Sequence, residues 1–342
     1  MKELVVLSGK GGTGKTSVVS SFAALAAAAA NPGATADTAP ADGGEGATRA
    51  NEAAAHVHPG AAAAVIPSAV FADCDVDAAD LHIILEPTVR EEGAFSGGRL
   101  ATVRAADCTA CGLCSRLCAV DAITQPAGEP AVIDSVACEG CGVCAHFCPV
   151  GAIDFEPVEN GRWYVSETRF GPMAHARLGI AEENSGKLAA LVREKAAELA
   201  RERGSELIIT DGPPGVGCPV ISSVTGADLI LVVTEPTRSG LHDLDRVLEL
   251  AEHFAIPALV AINKADLNRE LAAEIERRAG AQRVAARIPY DRDVTAAQVR
   301  KLSVVEYAAA TGSPGDSGGG AAEAIRGLWD AVARRVGQVP VS

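Results

Sequence analysis

The sequence predicts an α/β fold, a mostly parallel sheet covered by helices and interrupted by one small α+β unit. Three observations predict it. Apolar, β-branched runs alternate with helical patterns. A glycine-rich loop joins the first such run to the first helical stretch. Eight of the ten cysteines fall in one block between those patterns. The strand-like runs are Leu4–Leu7, Val70–Ala72, Leu207–Ile209, Leu229–Val233, Leu259–Ile262 and Val284–Ile288. They are apolar on both faces, as buried parallel strands are. Ser17–Ala30, Lys187–Arg203, Gly240–His253 and Arg269–Ala279 read as the covering helices.

The bulk properties bound the function. The 342 residues suffice for one large domain or two ordinary ones, and 48% hydrophobic with 22% charged residues is a globular balance. A net charge of −14 argues against a general nucleic-acid binder. The longest apolar run, Phe22–Ala30, is too short to span a bilayer, and no export signal opens the chain. A cytoplasmic protein without membrane association is expected. Its cysteines then stay reduced, and clustered reduced cysteines favour metal over disulfides.

Gly9-Lys10-Gly11-Gly12-Thr13-Gly14-Lys15-Thr16 fits G-x-x-x-x-G-K-[ST] and lies between strand and helix. Backbone N–H groups of Gly11, Gly12, Thr13, Gly14, Lys15, Thr16 and Ser17 are placed to face phosphate oxygens, aided by the positive end of the following helix. Lys15 neutralises the β- and γ-phosphates in such a loop, and Thr16 offers its hydroxyl to Mg²⁺.

With Lys10 near its start, the loop resembles the deviant Walker A loop of MinD/ParA P-loop ATPases, relatives of the nitrogenase iron protein. The resemblance implies ATP-driven homodimerisation, in which Lys10 reaches the partner's nucleotide. Ala72-Asp73-Cys74-Asp75-Val76-Asp77 resembles the family's first switch, which makes Asp75 the residue that orients or activates water and puts Asp73 near Mg²⁺. Leu207–Gly215, with Asp211 before Gly212-Pro213-Pro214-Gly215, resembles the Walker B and second-switch region, which implies that Asp211 holds Mg²⁺ through water. Asn263-Lys264-Ala265-Asp266 is an N-K-x-D pattern. In GTPases it reads guanine, whereas in MinD-like proteins an asparagine here contacts adenine, so Asn263 and Asp266 are the base-binding candidates and ATP is the favoured nucleotide.

The cysteine block reads Cys108-x-x-Cys111-x-x-Cys114-x-x-x-Cys118, then Cys138-x-x-Cys141-x-x-Cys144-x-x-x-Cys148-Pro149. It resembles the doubled run of bacterial two-cluster ferredoxins. That resemblance implies one [4Fe–4S] cluster on Cys108, Cys111, Cys114 and Cys148, and a second on Cys118, Cys138, Cys141 and Cys144. Two zinc sites would instead show paired C-x-x-C knuckles. Arg104 and Arg116 against eight acids leave the block with a net charge of −6.

Residues 1–101 and 161–342 are thus expected to form the ATPase domain, with 31–66 a low-complexity loop and 102–160 an inserted ferredoxin domain. Gly312–Gly320 reads as a linker. In the last helix Ile325, Leu328, Trp329, Val332 and Val336 form a stripe that either packs on the sheet or, as in MinD, meets a membrane. Cys74 reads as a small buried residue. Cys218 reads as a packed thiol or, by analogy with the iron protein, a group near the dimer axis. The expected function couples nucleotide-dependent dimerisation to electron transfer with an unidentified redox or cluster-acceptor protein. An iron–sulfur carrier and a MinD-like positioning ATPase are the alternatives.

Overall fold

The computed structural model describes residues 1–30, 69–179, 185–312 and 320–338. The expected loop 31–66 and most of the Gly312–Gly320 linker lie outside the described residues. The central sheet contains β1 (Lys2–Ser8), β2 (Ala69–Asp73), β3 (Thr88–Phe95), β8 (Gly161–Thr168), β9 (Gly171–Leu178), β10 (Leu207–Pro214), β11 (Leu229–Thr234), β12 (Ala258–Asn263) and β13 (Val284–Ile288). Its order is β13-β12-β11-β1-β10-β2-β9-β8-β3. Strands from β13 to β9 are parallel, and β8 and β3 extend that edge antiparallel.

Alternation along β1 divides the core. Leu4 and Val6 face α1 (Lys15–Ala30), while Val5 and Leu7 face the opposite layer. On the first face Phe22 of α1 meets Trp329, with ring centroids 5.0 Å apart. Trp329 lies on the last described helix, α11 (Ala321–Gln338), and its stripe residues Ile325, Leu328 and Val332 are also buried. The stripe therefore packs on the sheet, and burying Trp329 alone stabilises the fold by roughly 2–3 kcal/mol. The other face is covered by α6 (Cys218–Val224), α7 (Arg238–His253) and α8 (Arg269–Ala279). Near β2, α5 (Ser185–Arg203) buries Leu188, Val192 and Leu199.

The cysteine block is a small unit with its own sheet pairs and core. β4 (Gly98–Val103) pairs with β7 (Ile153–Val158), and β5 (Ile123–Thr124) with β6 (Val132–Ile133). Two short helices, α3 (Leu113–Leu117) and α4 (Val143–His146), stand at equivalent places thirty residues apart. Each follows a glycine in the left-handed region, Gly112 (φ 68°) and Gly142 (φ 74°). The remaining described helices are α2 (Leu81–Leu85), α9 (Arg292–Val299) and α10 (Val304–Thr311).

Candidate functional site

Three neighbouring strands deliver the site. β1 runs into the glycine-rich loop, β2 ends in Asp73, and β10 carries Asp211 at the same level in its carboxyl half. The register pairs Val6 with Asp211, and Asp211 with Asp73. The carboxyl ends of parallel strands open a crevice where ligands bind.

Lys15 is the cation of this crevice. Its Nζ donates to Asp211 Oδ1 and lies 3.4 Å from Asp75 Oδ2, and Thr16 Oγ1 donates to Asp211 Oδ2 at 2.9 Å. Burial works against the Lys15 charge, but Asp211 and then Asp75 outweigh it and hold the ammonium above its usual range. Burial pushes the Asp73 carboxyl well up, and repulsion from Asp211 adds to it. Asp75, also buried, is raised to about 6 despite Lys15. Asp73 Oδ1 accepts from the Asp75 N–H at 3.2 Å, whereas Asp73 Oδ2 and Thr13 Oγ1 are buried without a partner among the described residues. An unpaired buried oxygen beside Thr16 and Asp211 suits a hydrated divalent cation, so this donor set fits Mg²⁺.

Gly14 has φ +91°, and a Cβ there would collide with the Asn263 amide. That amide donates from Nδ2 to the Thr13 carbonyl at 2.7 Å, so Asn263 braces the loop. Asp266 Oδ1 accepts from the Tyr290 N–H at 2.6 Å, and Ser17 Oγ accepts from Gln298 at 3.0 Å. Lys10 folds back along its own chain. Its Nζ reaches Glu235 Oε1 at 2.5 Å, and Lys264 Nζ takes the other oxygen of Glu235 at 3.1 Å.

In the cysteine-rich unit, one cavity is lined by Cys108, Cys111, Cys114 and Cys148, with Gln125 at its wall. Cys114, Cys118, Cys138, Cys144 and Cys148 all pack with Ile123 and Ile153 in the unit's apolar core. Burial raises the Cys144 thiol above its usual range, and Cys138, Cys141 and Cys114 lie within electrostatic reach of it. The two outlying thiols have matching partners: Ala122 N–H points at Cys118 Sγ (3.3 Å) and Ala152 N–H at Cys148 Sγ (3.2 Å). Among the described residues no three His, Cys, Asp or Glu side chains stand close enough together to hold a metal ion. Thiolates on one zinc ion lie within about 4 Å of one another; those on a four-iron cubane surround a larger body.

A family model for the CobQ/CobB/MinD/ParA nucleotide binding domain matches residues 4–304. The chain belongs to that family. Protein MJ0578 of Methanocaldococcus jannaschii is 32% identical over 267 residues, covering 78% of this chain and 79% of its own. The septum site-determining protein MinD from Pyrococcus horikoshii OT3, solved with Mg-ADP, shares the fold with a TM-score of 0.52 at 15% identity, covering 100% of this chain and 99% of its own. Apo McdA from Cyanothece gives 0.51 at 15% identity, covering 97% and 99%. These likenesses agree with the expected MinD/ParA-type α/β core.

Within this CobQ/CobB/MinD/ParA domain, Lys15, Thr16, Asp73, Asp75 and Asp211 come together, while the hydrogen bonds of Asn263 and Asp266 go to backbone groups of the described residues. Cys74 is fully buried, as expected. Cys218 is exposed at the start of α6, so the expectation of a packed thiol is corrected. The turn before it leaves that side chain outside the core. Glu235 was not singled out in the sequence; its only local signal is a charged residue directly after the buried strand β11. His175 was also missed. It sits beside Asp73 in the register, accepts or donates to Ser166 Oγ at 2.9 Å, and stacks on Tyr164. Among the described residues, no helix is long and apolar enough to cross a membrane.

Proposed function

We propose that the chain is a Mg²⁺-dependent ATPase that dimerises on ATP and couples that cycle to electron transfer through two [4Fe–4S] clusters. The observation that supports the redox half is the cavity lined by Cys108, Cys111, Cys114 and Cys148. These are the three close cysteines of one run and the distant cysteine of the other, which is the exchange that two-cluster ferredoxins use. Cys118, Cys138, Cys141 and Cys144 are the complementary set. Bound there, each cluster would take up and release one electron at a time.

On the nucleotide side, Lys15 exchanges Asp211 and Asp75 for the β- and γ-phosphates. Asp211 and Thr16 are then freed for the metal, with Asp73 Oδ2 behind them. Asp75, whose carboxyl sits near 6, orients the attacking water in line with the γ-phosphate. Gly212 and Gly215 let the following loop change shape when that phosphate leaves.

Anaerobic purification followed by iron, sulfide and nucleotide assays tests this reading. About eight irons per chain are expected, falling to about half in Cys148→Ser, together with Mg–ATP hydrolysis lost in Asp211→Asn. Zinc or no metal on the cysteines sinks the redox half, and no hydrolysis sinks the ATPase half.

A second reading, a positioning ATPase, is favoured by the likeness to MinD and McdA. It expects hydrolysis stimulated by lipid vesicles. The packed stripe of α11 counts against that helix as the lipid contact.

A further inference from the structure

Both chain crossings between the parallel core and the cysteine-rich unit meet at one buried side chain. The outgoing crossing, Ser96-Gly97, joins β3 to β4, and the returning one, Glu159-Asn160, joins β7 to β8. Asn160 is 4% exposed. Its N–H donates to the Phe95 carbonyl at 3.0 Å, and its Oδ1 accepts from the Gly97 N–H at 2.9 Å. Its own carbonyl accepts from the Gly179 N–H at 2.9 Å. One residue therefore ties the two stems to each other and to the end of β9.

That end lies against the first nucleotide loop. Leu178, next to Gly179, donates its N–H to the carbonyl of Val76 at 3.4 Å, and Val76 directly follows Asp75. The Gly97 peptide is also held from its other side, where Lys187 Nζ donates to its carbonyl at 2.9 Å. Lys187 lies in the first turn of α5, and a Cβ on the adjacent Gly186 would stand 3.3 Å from Cys218. Cys218 follows the loop that leaves β10, the strand that carries Asp211. The stems of the cysteine-rich unit are thus hydrogen-bonded through to the first loop that would sense the γ-phosphate, and α5, which holds Gly97, packs closely against the end of the second.

We propose that Asn160 is the positioning residue that carries the state of the Asp75–Val76 loop into the stems of the cysteine-rich unit. The physical basis is that Asn160, in the returning stem, bonds to the outgoing stem through its backbone N–H and side-chain Oδ1, and to Gly179 through its backbone carbonyl. A shift of Val76 moves Leu178 and Gly179, and Asn160 must follow or leave a buried polar group unpaired. Because Oδ1 holds Gly97, the outgoing stem moves with the returning one. The inference rests on the nucleotide reading above and is independent of whether iron is bound.

Hydrogen exchange on the whole chain, handled anaerobically, tests it with Mg²⁺ and a non-hydrolysable ATP analogue. In the wild type the analogue should protect residues 10–17 and change the exchange of the Gly97 and Gly179 amides by about fivefold or more, the lower end of ordinary coupling between sites. Asn160→Ala should keep the first effect and lose the second at Gly97. Asn160→Asp, which retains the Oδ1 acceptor, should restore it. Protection of residues 10–17 with no response at Gly97 and Gly179 in the wild type overturns the inference while leaving nucleotide binding intact. An undiminished response in Asn160→Ala overturns it as well. The wild-type measurement decides even where the alanine variant does not fold. No protection of residues 10–17 removes the nucleotide reading itself, and this inference with it.

Discussion

The Nζ of Lys10 lies 2.5 Å from Oε1 of Glu235 on the same chain. The lysine that the MinD/ParA resemblance sends to a partner's nucleotide is therefore held at home, with Thr237 Oγ1 (3.4 Å) and Ser239 Oγ (3.2 Å) around it. Glu235→Gln keeps the shape and removes the charge. Nucleotide-dependent dimerisation, followed by analytical ultracentrifugation with an ATP analogue, should rise roughly two- to fivefold, the size of a partly exposed ion pair. In Lys10→Ala nucleotide binding should persist and the dimer should be lost. An unchanged dimer in both variants would refute the assignment.

Lys15 stands among three buried carboxylates. Without its charge, Asp73, Asp75 and Asp211 repel one another. Lys15→Met should destabilise the nucleotide-free chain by about 3 kcal/mol near pH 8, measured by urea unfolding. The loss should shrink toward pH ~5, where protonation of Asp75 relieves the repulsion. A pH-independent loss would contradict this.

Asp75 and His175 titrate in opposite senses. Burial, opposed by Lys15, raises Asp75 to about 6. Burial, with His82 adding to it, lowers His175 from 6.5 to about 4. From about pH 4 to 6 the folded chain keeps a proton on Asp75 that the unfolded chain has released. That contribution to stability is present at the acid end and is lost as pH rises through 6. For His175 the unfolded chain holds the extra proton, so its contribution grows with pH up to about 6.5 and is lost on acidification. Asp75→Asn should steepen the rise of stability with pH in this window, and His175→Gln should flatten it, each by up to about 1.4 kcal/mol per pH unit. Parallel profiles for the two variants would show that neither group titrates as described.

Arg169 ties three segments together. It pairs with Glu306, which is 0% exposed, at 3.1 Å, and it donates to the carbonyls of Ile84 and Lys301. Glu306 also closes the capping box of α10 with Ser303. Arg169→Ala should cost about 3–5 kcal/mol, because it strands a buried carboxylate. Adding Glu306→Gln, which keeps the cap and removes the charge, should recover part of that loss in urea unfolding. No recovery would mean that the cost lies in packing.

Local chemistry is what made much of this legible from sequence. The phosphate loop, the aspartates carried by β2 and β10, and the cysteine spacings are each contiguous, so their residues could be named directly. The β8–β9 hairpin escaped notice because β9 opens on Gly171-Pro172 and its turn, Arg169-Phe170, carries no turn-type signal. Its role depends on Glu306, 137 residues away. Asn160 and Glu235 were invisible for the same reason: their partners are close in space and distant in the chain. The pairing of β4 with β7 also begins at Gly98, ahead of the first cysteine run, because antiparallel pairing needs both stems and no local pattern marks them.

The pairing of β1 has a consequence for how the chain is made. Among the described residues this first strand pairs with β10 and β11 alone, so it emerges from the ribosome roughly two hundred residues ahead of those neighbours. At ordinary translation speeds that is a wait of about 10–40 s. The described strands of the cysteine-rich unit pair within it, and those pairs are complete well before then. Synthesis thus finishes the strand pairs of the satellite first and leaves the phosphate loop without its neighbouring strands until the chain is past Thr234, an interval in which the apolar run Leu4–Leu7 has α1 but neither paired strand to pack against.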